Sequence, residues 1–170
     1  MQTTNIKLYS LNYNQAKTYL ASLLFVAGNI ILPQLCHLVP QGGLILLPIY
    51  FFTLIAAYKY GWKVGVLTAI ISPVANHLLF GMPPIGVLPI ILVKSLLLAI
   101  AAGLAANYFR RISILILALV VISYQVIGTA IEWAMVRDFS IAIQDFRLGV
   151  AGMLIQIFGG YAFIKGTSKN

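Results

Sequence analysis

The chain has 170 residues, 61% of them hydrophobic and only 8% charged, with a formal net charge of +8 and a mean hydropathy of +0.99. Soluble domains carry about 25% charged residues, so this composition excludes a water-soluble globule and calls for an integral membrane protein. In such a chain the positive charge points to cytoplasmic loops, which collect Lys and Arg, and not to nucleic acid.

Met1 to Gln15 is polar and reads as a cytoplasmic segment, since no small-residue cleavage site follows the first apolar run as a secretory signal would require. Six apolar spans follow: Ala16–Leu35, Leu44–Tyr60, Trp62–Phe80, Gly86–Phe109, Ile112–Met135 and Arg147–Ile164. Runs of about 20 apolar residues cross a hydrocarbon core of roughly 30 Å as helices. Alternating ten-residue strands are absent, which argues against a barrel. The expected fold is therefore an all-α integral membrane protein: one domain over 1–170, a six-transmembrane-helix bundle, with a short tail at 165–170. Only Lys59, Gly61 and Lys63 divide the second span from the third, and Pro48 marks where the short second span starts.

Charge sets the orientation. Lys7 and Lys17 precede the first span, Lys59 and Lys63 follow the second, Arg110 and Arg111 follow the fourth, and Lys165 and Lys169 follow the sixth. The opposite side has an uncharged 36–43 loop, an uncharged Gly81-Met82-Pro83-Pro84 corner, and a 136–147 loop in which Asp138 and Asp145 offset Arg137 and Arg147. The positive-inside rule places both termini in the cytoplasm. Small residues recur four apart at Gly61 and Gly65, Ala99 and Gly103, and Ala102 and Ala106, a spacing that lets helices approach closely, within the chain or on a partner helix.

Polar side chains inside spans are costly and mark cavities or helix contacts. Asn76 and His77 fall at the outer end of the third span. Lys94 falls about 12 Å below the outer end of the fourth, at 1.5 Å per residue. In the fifth, Gln125, Thr129 and Glu132 share one helical stripe, and Trp133 adjoins them as an aromatic able to stack on a ligand. Gln156 lies near the middle of the sixth. These groups converge on the outer half, as a cavity open to the outside requires. Lys94 and Glu132 read as the only opposite charges within the membrane; they either neutralise each other or contact a substrate, Lys94 then facing an anion. Tyr50, Tyr58, Tyr60, Trp62 and Trp133 suit aromatic belts at the two interfaces.

No catalytic constellation is present: there is no Ser-His-Asp set, no HExxH and no phosphate loop, so the chain reads as a non-enzyme that cannot hydrolyse ATP itself. Cys36-His37 offers metal-ligand chemistry, but with no second Cys or carboxylate it makes no dedicated metal site, and no cofactor is expected.

Six spans in 170 residues, with "GMPPIGVLPI" after the third, resemble the substrate-binding S-components of energy-coupling factor (ECF) vitamin transporters. The most specific part is Gly61 to Tyr108, which looks like that family's third and fourth helices with their connecting turn. The resemblance implies outer loops that close over a vitamin-like molecule, with the 36–43 loop, the corner from Gly81 and Met82 to Pro84, Lys94, Gln125, Glu132 and Gln156 at the pocket. It also implies a bacterial cytoplasmic membrane, and a membrane coupling subunit with an ATPase pair as partners. Two departures stand out: related sequences often carry Glu near the position of Lys94, and the first span lacks the family's AxxxA-type docking spacing. Two other readings remain open, a solitary corrinoid (cobalamin) carrier using Cys36 or His37 and a non-transporting assembly or scaffold protein.

Overall fold

Inside hydrocarbon a backbone amide finds no water, so an apolar chain must close its hydrogen bonds within helices. The computed structural model describes residues 8–168, which form helices joined by short turns. Lys7, Lys169 and Asn170, together with the first residues of the N-terminal segment, lie outside the described residues.

The first helix is α1 (Ala16–Cys36). The second span is built in pieces: α2 (Gly42–Leu46), a 3₁₀ turn at Pro48–Tyr50, and α3 (Phe51–Tyr60). Leu47 breaks it, with φ 45° and ψ 47°. Then come α4 (Trp62–Phe80), α5 (Leu88–Phe109) and α6 (Ile114–Val136). The last apolar segment follows two short helices, α7 (Phe139–Ala142) and α8 (Gln144–Leu148). It comprises α9 (Val150–Leu154), a π-helical turn at Ile155–Gly159, and α10 (Gly160–Gly166).

Five of these stretches are long and apolar enough to cross a membrane: Ala16–Cys36, Gly42–Tyr60, Trp62–Phe80, Leu88–Phe109 and Ile114–Val136. The sixth, Val150–Gly166, is shorter, and reaches roughly 25 Å at 1.5 Å per residue. It starts three residues later than the expected Arg147, which sits exposed in α8, where its charge meets solvent.

α3 runs through the middle of the bundle, packed by α1, α4, α5 and α10. Leu54, Ile55, Ala56, Ala57 and Tyr58 are all wholly buried, as expected of a helix apolar on every side. The small residues serve this packing. A side chain at Gly65 would run into Ala57, and one at Gly103 into Trp62, while Ala99, Ala102 and Ala106 are buried. The four-residue spacing therefore works within the chain. Two of the expected belt aromatics are core residues instead: Tyr50 and Tyr58 are 2% and 0% exposed. The Tyr58 hydroxyl donates to the Arg111 carbonyl at 2.6 Å, in the turn between α5 and α6.

The basic turns gather at one end. Tyr9 N donates to the Lys59 carbonyl (2.8 Å) and Leu11 N to the Tyr60 carbonyl (3.2 Å). Gly61, at φ 105° and ψ 156°, makes the turn between α3 and α4 in a conformation closed to other residues. Lys59 Nζ then caps the end of α10 by donating to the carbonyl and hydroxyl oxygens of Thr167, at 2.8 and 2.7 Å. A cation at that position also complements the helix dipole.

Candidate functional site

At the other end of the bundle a lysine is driven into the interior. Lys94 is 2% exposed, and its stem crosses α6 at Gly128, where a Cβ would fall 2.7 Å from Lys94 Cγ. Its ammonium lies 2.5 Å from Glu132 Oε2 and 2.6 Å from Asp145 Oδ2. The link to Asp145 is a directed hydrogen bond; Glu132 Oε2 meets the ammonium at close range but off a hydrogen-bonding direction. Lys94 and Glu132 pair, as one reading of the sequence had it. They are not the only opposite charges in the interior, because Asp145 completes a triad.

The corner after α6 explains how Asp145 gets there. Asp138 caps α7, its Oδ1 accepting from Ser140 N (2.8 Å) and Ile141 N (3.2 Å). That cap turns the chain back, and α8 begins one residue after Ile143. Asp145 lies in the first turn of α8, where a carboxylate suits the helix dipole, and it points to Lys94 while Arg147 stays outside.

The triad forms the polar wall of a cavity of about 90 Å³. Its apolar walls come from Leu44 and Leu47 of the α2 segment, from Tyr50, and from Val87, Ile90 and Ile91. α2 covers it, seated on α9 where Gly152 leaves no room for a side chain: a Cβ there would come within 2.5 Å of the Leu46 carbonyl. Behind Tyr50 the ring of Tyr124 lies 5.5 Å away, and Tyr124 donates its hydroxyl to Gln156 Oε1 at 3.0 Å. Gln156 sits on the π-helical turn, a distortion that often occurs at functional positions.

The other residues expected at the site are distributed more widely. Gln125 is wholly buried on the stripe of Glu132, and neither of its amide atoms has a hydrogen-bond partner among the described residues. Thr129 Oγ1, Ser95 Oγ and Gln156 Nε2 are likewise buried and unpartnered there. Thr129 and Trp133 line a second, open and apolar cavity of about 230 Å³ with Phe139 and Phe146. Trp133 packs edge-on to Phe139 and is half-exposed.

Asn76, His77, Gly81 and Met82 line neither cavity. Asn76 donates to the Asn29 and Ser72 carbonyls, each at 2.9 Å, which ties α4 to α1. His77 Nδ1 lies 2.8 Å from the Pro83 carbonyl and anchors the corner, whose Met82–Pro83 bond is cis. Gly81 ends α4 at φ 67°, and Met82 is exposed. The cover over the charged cavity is the α2 segment, not the Gly-Met-Pro-Pro corner. Cys36 is buried and His37 is exposed beside Gly43. Among the described residues, no three His, Cys, Asp or Glu are placed to hold a metal ion.

Sequence reading missed Asp145, Gly128, Tyr50 and Asn29 as contributors to polar interior structure. Asn29 had a usable signal. Pro33, four residues later, has no N–H, so the Asn29 carbonyl is freed for Asn76. Compared with protein-family models, with curated proteins and with solved structures, the chain has no match.

Proposed function

We propose that the protein is a substrate-binding uptake subunit of a membrane transporter, capturing a small vitamin-like molecule from the outer side of a bacterial cytoplasmic membrane. The observation that carries this reading is the buried Lys94–Glu132–Asp145 triad on the wall of a cavity, with unpartnered polar atoms at Gln125, Thr129 and Gln156 on the neighbouring helices. Ionisable groups at membrane depth are expensive, and they persist where a ligand or ion passes. Buried amides without partners cost free energy that a ligand or ordered water would recover.

In this reading Val150–Gly166 is a sixth crossing. Its length is at the lower limit for a span, about 17 residues. The basic end, where residues 8–15, Lys59, Lys63, Arg111 and Thr167 meet, faces the cytoplasm under the positive-inside rule. The α2 segment is the outer cover. Energy comes from a membrane coupling subunit and an ATPase pair, since the chain has no phosphate loop of its own.

The test is mass spectrometry of small molecules released when protein purified in mild detergent is denatured. One compound should leave wild-type protein in near-stoichiometric amount and be lost from a folded Asp145→Asn variant. Release of none, with no saturable uptake by cells expressing the protein, would favour an assembly or scaffold role.

A further inference from the structure

We infer that the captured ligand is an organic cation, held by Asp145 and Glu132. This rests on the uptake reading and names the substrate class for the same cavity. Three observations carry it.

The first is charge balance. One ammonium faces two carboxylates, so the ionised triad carries a net negative charge before anything binds. A monocation brings the group to neutrality, whereas an anion adds repulsion where water is scarce and screening weak. Of the two readings left open for Lys94, this proposal takes the pairing one and not contact with an anionic substrate.

The second is which charges the cavity sees. The lysine side chain is only 2% exposed, while those of Glu132 and Asp145 are 11% and 15% exposed. Lys94 is spent on two oxygens, Glu132 Oε2 and Asp145 Oδ2. The remaining two, Glu132 Oε1 and Asp145 Oδ1, have no hydrogen-bond partner among the described residues, yet are not among the sealed atoms. Two free carboxylate oxygens can take N–H donors from a charged nitrogen.

The third is the lining. Leu44, Leu47, Ile90 and Ile91 suit a hydrocarbon or ring body and would serve a hydrated inorganic ion poorly. Tyr50 adds an aromatic wall that can attract a cation through its face. At about 90 Å³ the cavity takes a charged head and a small apolar body.

The experiment uses the full-length protein in detergent, with three ring probes of one size: benzylammonium, benzyl alcohol and benzoate. Calorimetry at neutral pH and fixed ionic strength should give saturable binding of benzylammonium at least tenfold tighter than either of the others. Asp145→Asn should weaken it at least tenfold, and Glu132→Gln serves where that variant fails to fold. The compound released in the mass-spectrometry test should itself be a cation at neutral pH. A neutral or anionic released compound, or benzoate bound as well as benzylammonium, overturns the cation assignment and leaves the uptake reading standing. No released compound and no probe binding to folded protein overturns both.

Discussion

Lys94→Met removes a charge and keeps the stem that fills the groove at Gly128. It strands Glu132 and Asp145, which are held close to each other around the former ammonium position. Breaking a buried ion pair from one side costs about 3–5 kcal/mol. Here both carboxylates retain some water contact, so a loss near the lower limit, about 3 kcal/mol, is expected. For a chain of this size each kcal/mol moves the midpoint by roughly 2–4 °C, which gives a fall of about 6–12 °C. The assay is thermal unfolding of ligand-free protein in detergent, followed through the fluorescence of Trp62 and Trp133. The decisive control is the triple change Lys94→Met, Glu132→Gln, Asp145→Asn. It removes the whole charge set at similar volume, which is often neutral for stability, so it should recover more than half of the loss. A single variant within about 2 °C of wild type, on that same scale, would mean that the carboxylates do not depend on the lysine. A triple variant no more stable than the single one would mean that the loss is one of packing.

Gly128→Ala should cost about 1–3 kcal/mol by overpacking against Lys94 Cγ, and much less in a Lys94→Ala background; denaturant unfolding of the four proteins measures that coupling. Asn29→Leu should destabilise by about 1–3 kcal/mol, because it takes partners from Thr53, Ser72 and Phe52 N together; unchanged unfolding would show that the network carries no weight. In a Cys36→Ala background, an impermeant thiol reagent added to intact cells should label Leu38→Cys and leave Gly166→Cys unmodified. Labelling of both, or the reverse, would sink the proposed orientation.

The long helices were legible because hydrophobic length needs no tertiary information: α1, α4, α5 and α6 fall within two residues of their expected bounds at each end. The short pieces were not. A left-handed Leu47 cuts the second span, and nothing in its side chain announces a conformation that packing on Gly149 and Gly152 stabilises. Lys94 and Glu132 were legible as an intramembrane pair, since a lone charge in an apolar run demands a partner. Asp145 was not, because in sequence it stands two residues from Arg147 and reads as its loop counter-charge. Two positions apart on α8, they fall on opposite sides of that short helix, Asp145 toward Lys94 and Arg147 at the surface. Tyr50 and Tyr58 were misplaced for a related reason: interface aromatics and core aromatics look alike until it is known which helix is central.

The polar interior groups divide into two sets whose bonding differs, and that contrast bears on the proposed binding role. Between α1, α3 and α4, Asn29 donates to Thr53 Oγ1 and Ser72 Oγ at 3.0 and 3.2 Å and accepts from Phe52 N, while Asn76 closes the set on the Asn29 carbonyl. One side-chain atom in that set, Asn76 Oδ1, lacks a partner, as does Gln34 Nε2 farther along α1. Between α5, α6 and the π-helical turn, Ser95, Gln125, Thr129 and Gln156 leave five such atoms unmatched. If interior polarity served only to hold helices together, both sets would be satisfied to a similar degree, since each unmet group costs about 1–3 kcal/mol. The cost instead concentrates on the helices that carry the triad, under a cover bracketed by left-handed residues at Gln41 and Leu47. In the proposed uptake reading, these unmet donors and acceptors beside the triad are the groups that a captured ligand would meet.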